Sequence, residues 1–234
     1  MRRRRAIVVF IVSVITLILL GGAMPRMIEE SLPVPTATSP GSVTSEEPTV
    51  APGSARDGLE KLVIKGRAPK TGYERSQFGD GWATIMGCST RDIILNRDLQ
   101  KVTFDGECTV ISGVLNDPYT GAQVIFSKEN SSKVQIDHVV ALSDAWQKGA
   151  QQLSQDMREQ LANDPLELLA VDGPANQQKS DADAATWLPS NKIFRCEYVA
   201  RQIAVKMKYE LWVTQAEKDA MTSVLSTCPN QMLP

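Results

Sequence analysis

An α+β domain is the fold the sequence predicts. Apolar residues recur at helical spacing in some stretches, alternate along short runs in others, and Asn, Asp, Gly and Pro clusters separate the two kinds. Of 234 residues, 42% are hydrophobic and 22% charged, which excludes a wholly disordered chain, a collagen-like repeat and a multi-span membrane protein. This length gives one or two domains and a sizeable core. The formal net charge is −2, but six Arg and four Glu lie in residues 1–56, leaving the remainder near −4. A protein that coats DNA by charge alone is basic, so that class is excluded.

The elements follow in order. Arg2 to Arg5 precede an uncharged apolar run from Ala6 to Met24, the pattern of an export signal oriented by the positive-inside rule. Gly21-Gly22-Ala23 offers small residues for cleavage, yet at about 1.5 Å per residue the run nearly spans a ~30 Å hydrocarbon core. Residues 1–24 therefore read as a signal peptide or a single membrane anchor. Residues 25–56, rich in Pro, Ser, Thr and Glu, read as a flexible linker, and residues 57–234 as the folded domain.

Within the domain, helical patterns cover 57–64, 89–99 and 154–163. Strand patterns cover 109–114, 123–126 and 134–140, with Asn116-Asp117-Pro118 and Thr120-Gly121 as turns. Leu166 to Val171 is too short for a helix and reads as a buried strand. Asn191 to Leu211 has apolar residues at helical spacing, and Thr214-Gln215-Ala216-Glu217 is a capping box opening a last helix to Ser226. Trp146, Trp187 and Trp212 are expected in the core. Lys192, Arg195, Arg201, Lys206 and Lys208 read as a solvated helix face, or else as one side of a DNA path.

Four cysteines, Cys88, Cys108, Cys196 and Cys228, lie in the exported part without a C-x-x-C pair, so two disulfides are expected rather than a zinc site. Of three connectivities the local one, Cys88–Cys108 with Cys196–Cys228, is favoured. Each bridge would stabilise by roughly 3 kcal/mol in the chain-entropy model.

The single histidine, His138, follows Asp137 at the end of a β-type run. Side chains alternate along a strand, so the carboxylate can hold a metal on one face while the imidazole addresses a water on the other. A second polar cluster, Asn176 to Asp183, follows the Leu166–Val171 strand and the Gly173-Pro174 turn. Pro174 suits a helix start, where phosphate is favoured. Such a strand, loop, strand and helix would bring Asp137, His138 and Asn176 together. Asp181 and Asp183 read as solvated or as helix caps.

Ile136-Asp137-His138-Val139-Val140 and Glu167-Leu168-Leu169-Ala170-Val171, with Asn176-Gln177-Gln178-Lys179-Ser180-Asp181 beyond, resemble the HNH, or ββα-metal, endonuclease motif. The wider stretch with its flanking cysteines looks like the exported HNH-family proteins of actinomycetes. The resemblance implies a ββα-metal nuclease core, about 134–183, embedded in a disulfide-stapled, helix-rich domain. It also implies phosphodiester hydrolysis with one divalent metal, Mg²⁺ or Mn²⁺. Asp137 and Asn176 would be the metal ligands, His138 the general base and Lys179 a phosphate contact. The family's usual Asn that orients the histidine is Glu167 here, whose carboxylate could still accept the imidazole N–H. Where a proline often follows the Asp-His strand, this chain has Ala141.

The expected partner is nucleic acid, DNA before RNA and with little sequence preference, because no element for reading bases is evident. The N-terminal segment would add a membrane if uncleaved, and a monomer is expected. The competing reading is a non-catalytic, envelope-associated binding protein that keeps the fold. A Ser–His–Asp hydrolase is poorer, since no G-x-S-x-G elbow is present.

Overall fold

The structure, a computed structural model, describes residues 51–234. Residues 1–24, expected as a signal peptide or membrane anchor, and residues 25–50 of the expected linker lie outside the described residues. The folded unit begins slightly before Asp57. Ser54 caps α1 (Ala55–Lys61) by accepting from the Asp57 N–H, and the Ala55 N–H donates to the Gln231 carbonyl at 2.8 Å. Residues 54–56 therefore belong to the domain and not to the linker.

A short hairpin, β1 (Thr84–Ile85) with β2 (Cys88–Ser89), leads into α2 (Thr90–Asp98), which Ser89 caps through the Asp92 N–H. Then comes an antiparallel sheet of β3 (Leu99–Asp105), β4 (Thr109–Asn116) and β5 (Gln123–Ser127), with β4 central. The sequence pattern showed β4 and β5. It missed β3, whose side chains past Leu99 are largely exposed and so carry no apolar alternation.

Next, β6 (Val134–His138) leads to α3 (Leu142–Gln147) and α4 (Gln155–Asn163), and β7 (Leu168–Asp172) returns antiparallel to β6. The expected strand over 134–140 thus ends at His138. The helix α5 (Gly173–Lys179) follows β7 directly, and α6 (Arg195–Lys208) and α7 (Gln215–Ser226) complete the chain. The capping box at Thr214 and Glu217 forms as read. The result is a mixed helix-and-sheet domain.

Both faces of the β6–β7 pair are covered, which explains why β7 is apolar without alternation. Val134, Ile136, Leu168 and Ala170 face a core made with α2 and the three-stranded sheet. Leu169 and Val171 face the larger core of the helices. Trp146 is buried there, Trp187 packs half-buried against it, and Trp212 is buried as well.

The two disulfides are Cys88–Cys108 and Cys196–Cys228, separated by 20 and 32 residues. The first ties β2 to the β3–β4 turn and the second ties α6 to the end of α7. In the chain-entropy model each restricts the unfolded chain by roughly 3–4 kcal/mol.

Candidate active site

The approach of α5 to the turn just before β6 needs a residue without a side chain. A Cβ at Gly173 would sit 2.0 Å from the Ser132 carbonyl oxygen, so only glycine lets α5 start where it does. The Asn116-Asp117-Pro118 turn also has a positioning role. Asp117 accepts from the Thr120 N–H at 2.7 Å and, through its other oxygen, from the Asp172 N–H at 2.8 Å. This fixes Tyr119 beneath β6 and the end of β7.

One cleft of about 400 Å³ is lined by Asp137, His138 and Asn176, with Gln135, Gln177 and Arg75 among its other walls. The structure therefore brings together three of the residues singled out in the sequence, across the gap from β6 to α5. The side chains of Gln135 and Asn176 are joined, the Asn176 amide donating to Gln135 Oε1 at 2.9 Å.

Asp137 is buried, and both of its oxygens are engaged. Lys179 Nζ donates to Oδ1 at 2.9 Å and the Tyr119 hydroxyl donates to Oδ2. Burial pushes the Asp137 carboxyl up, against the opposing pull of Lys179 and Tyr119. Lys179, expected to reach a phosphate, is instead fully buried, with its ammonium held by Asp137 and by the His138 carbonyl at 2.8 Å. An α5 side chain lying against β6 points inward, and a buried ammonium needs the nearest carboxylate.

His138 departs from expectation in its partner. Its Nε2 lies 3.0 Å from the Ala162 carbonyl oxygen, at the end of α4. A carbonyl only accepts, so Nε2 carries the proton and Nδ1 keeps its lone pair. Glu167 does not orient the ring. Its Oε2 accepts from the Val140 N–H at 3.2 Å, and burial raises its carboxyl well above the ordinary range. The carboxylate expected beside the imidazole is spent on the backbone just after β6. Burial also pushes the imidazole down to about 3, and the Arg75 guanidinium acts in the same direction. The ring is therefore neutral at physiological pH.

The helix α5 offers no phosphate cradle at its start. Asp172 caps it by accepting from the Ala175 N–H at 2.9 Å, so a carboxylate already sits there. The basic positions on α6 do not form a strip either. Lys206 is buried, Lys208 pairs with Asp164 at 2.6 Å, and Arg195 donates to the Pro189 carbonyl at 2.7 Å. Nor are the later aspartates free. Asp183 is buried between Arg67 and Lys148, and Asp181 pairs with Lys70.

Two residues that the sequence reading passed over stand at the site. Arg75 is exposed, lines the cleft beside His138, and has no ion-pair partner among the described residues. The Trp82 ring lies parallel to the imidazole, with centroids 5.8 Å apart and an interplanar angle of 5°. Their segment is anchored: the Ala83 N–H donates to Asn163 Oδ1 at 2.8 Å and Arg158 Nε to the Gln77 carbonyl at 2.7 Å. The signal for Trp82 was its setting, an aromatic residue in the glycine-punctuated run Gly79-Asp80-Gly81-Trp82. No comparable pattern surrounds Arg75.

Residues 89–224 match the family described as GmrSD restriction endonucleases, C-terminal domain. The chain belongs to that family. The matched segment of this GmrSD C-terminal domain holds Asp137, His138, Glu167, Asn176 and Lys179, whereas Arg75 and Trp82 precede it. The chain is also similar to an "Uncharacterized secreted protein" of Arthroderma benhamiae, 40% identical over 178 residues that cover 75% of this chain and 85% of the relative. That relative is fungal, whereas the sequence reading pointed to actinomycetes. No solved structure matches the chain. The disulfides fit an oxidising, extracellular setting. Among the described residues no helix is long and apolar enough to cross a membrane.

Hard oxygen ligands suit Mg²⁺ or Mn²⁺, and Mg²⁺ commonly uses one or two protein ligands while keeping several waters. The Asp137 carboxylate and the Asn176 amide, both lining the cleft, match that in kind. Among the described residues no group of three or more His, Cys, Asp and Glu side chains converges as a closed metal site. Each Asp137 oxygen has a lone pair beyond the hydrogen bond it accepts, so the residues fit a cation, with Lys179 as its rival for the carboxylate.

Proposed function

We propose that this chain is an exported, HNH-type endonuclease, with β6, β7 and α5 as its ββα-metal core. It would hydrolyse phosphodiester bonds of nucleic acid, DNA before RNA, at the cleft beside His138. One divalent cation, Mg²⁺ or Mn²⁺, would be held by Asp137 and Asn176. The observation that carries this reading is the shared cleft: a carboxylate, a neutral imidazole with Nδ1 unprotonated, and an amide meet beside a guanidinium that has no ion-pair partner among the described residues. Membership in a restriction-endonuclease family supports the same reaction class.

In this reading His138 Nδ1 takes a proton from the attacking water. The water oxygen bonds to phosphorus as the bond to the 3′-oxygen breaks, giving a 5′-phosphate and, after protonation by solvent, a 3′-hydroxyl. Arg75 takes the phosphate-contact role expected of Lys179, since its charge is exposed at the cleft and unspent. Bound cation supplies charge neutralisation at the phosphate and the leaving oxygen. Ala162 keeps the imidazole in the required tautomer, a task that needs no carboxylate.

The competing reading, a non-catalytic envelope protein, draws on the Lys179–Asp137 pair, which already neutralises the proposed ligand. Cleavage of plasmid and of single-stranded circular DNA by the full chain with Mg²⁺ or Mn²⁺ separates the two. Cleavage should vanish in EDTA and fall about 10²- to 10⁴-fold in His138→Ala. Cleavage that persists in His138→Ala removes the base, and no cleavage by the wild type with either metal leaves the binding-protein reading.

A further inference from the structure

A second cleft, of about 340 Å³, adjoins the first, and both are walled by His138 and Arg75. Its remaining wall includes Phe78, Asp80, Trp82 and Leu142. We infer that this cleft is a nucleobase subsite, which holds the base next to the scissile phosphate against Trp82 and makes single-stranded nucleic acid the substrate. The inference rests on the nuclease reading, because it takes the phosphate to lie at His138 and Arg75.

Three observations support it. First, the four tryptophans are not alike. Trp146 donates its indole N–H to the Thr71 carbonyl, Trp187 to Gln178 and Trp212 to the Gly66 carbonyl. The Trp82 N–H has no acceptor among the described residues, although its ring is half-buried and held parallel to His138. An indole N–H without an acceptor has a partner to gain. Second, the wall chemistry suits a base better than a phosphate. Asp80 would repel an anion but accepts from the ring and amino N–H groups of a base, while Phe78 and Leu142 supply apolar surface. Third, the volume lies at the small end of ligand clefts, which run from about 300 to 1,000 Å³, so the cleft suits one planar heterocycle rather than a duplex.

A base inside a duplex is stacked on its neighbours and must be extruded to enter such a recess. A single strand offers its bases directly, and aromatic stacking tolerates any of them. Low sequence preference then coexists with a strong preference for unpaired strands.

The experiment uses the full chain, a labelled deoxyoligonucleotide alone or annealed to its complement, and the variants Trp82→Ala and Trp82→Phe. The wild type should cut the single strand at least tenfold faster than the duplex. Trp82→Ala should lose about fivefold or more on the single strand, while Trp82→Phe restores most of that rate. A nucleoside 5′-monophosphate should quench tryptophan fluorescence in the wild type and in His138→Ala, but not in Trp82→Ala; inorganic phosphate should do so in none. Equal cutting of both substrates, or quenching that survives Trp82→Ala, overturns the subsite. Quenching at Trp82 with no cleavage by the wild type would retain the subsite and remove the nuclease reading, whereas cleavage indifferent to Trp82 would do the reverse.

Discussion

Two polar clusters flank α3, each built around a buried lysine paired with aspartate, and they are arranged to opposite ends. On one side, Lys148 pairs with Asp144, Asp183 and Glu217 at 2.9, 2.8 and 2.5 Å. Lys206 adds a contact to Glu217 at 3.0 Å, and Arg67 bridges Asp144 and Asp183 at 2.7 Å each. Three cations meet three carboxylates, and the cluster joins α3, α6 and α7 with the segments carrying Arg67 and Asp183. On the other side, Lys179 and Tyr119 meet Asp137, but the cluster opens into a cleft where, among the described residues, Arg75 has no ion-pair partner and His138 Nδ1 no hydrogen-bond partner. A closed set of charges serves as scaffold, while an open one can act on something from outside. A buried Lys–Asp pair stands in both, so that pair does not distinguish them; access does.

That contrast is most exposed to Lys148→Met. Three carboxylates would lose their shared partner, and removing one member of a buried ion network typically costs about 3–5 kcal/mol. Denaturant unfolding should show a loss of that size or an unfolded chain. A loss under about 1 kcal/mol would mean that the network is not scaffold.

Titration tests the open side. With the His138 pKa depressed from 6.5 to about 3 in the folded state, the unfolded chain binds the extra proton between those values. The stability contributed by the neutral ring is therefore complete above pH 6.5 and is lost as pH falls toward 3. Between pH 7 and 4.5 the wild type should lose about 2–3 kcal/mol more than His138→Gln. Equal losses would place the imidazole in water rather than between Trp82 and Ala162.

Metal binding gives a smaller effect. Lys179→Met frees Asp137 from its ammonium, so Mn²⁺ should raise the melting temperature more in the variant than in the wild type, each measured against its own metal-free form. Equal increments would show that Lys179 does not compete for the carboxylate. The smallest change belongs to Glu167→Gln. Burial favours the neutral carboxyl, and the amide oxygen can still accept from the Val140 N–H. Cleavage rate and its pH profile should stay unchanged, with stability altered by less than about 1 kcal/mol. A shifted pH profile would return Glu167 to the imidazole.

Local chemistry was enough for several features. Apolar spacing gave the helices near 155–163 and 195–208, the reciprocal hydrogen bonds of Thr214 and Glu217 start α7, and turn residues separate β4 from β5. The local disulfide pairing also holds, since short loops close at small entropic cost. Gly173, read as part of a turn, turned out to be required by a backbone contact from residue 132 that no neighbouring residue signals.

Partner choice was different, because a charged side chain at one position can find a mate anywhere in the fold. Lys179 turned to Asp137 rather than to solvent, the imidazole found the carbonyl of Ala162, and Arg75 and Trp82 arrived from a segment more than fifty positions before His138. Helix periods, caps and turns depend on residues a few positions apart, so the amino-acid order settles them. Which polar groups are quenched and which stay free depends on long-range packing and on where water is excluded, and that is settled only when the chain closes on itself.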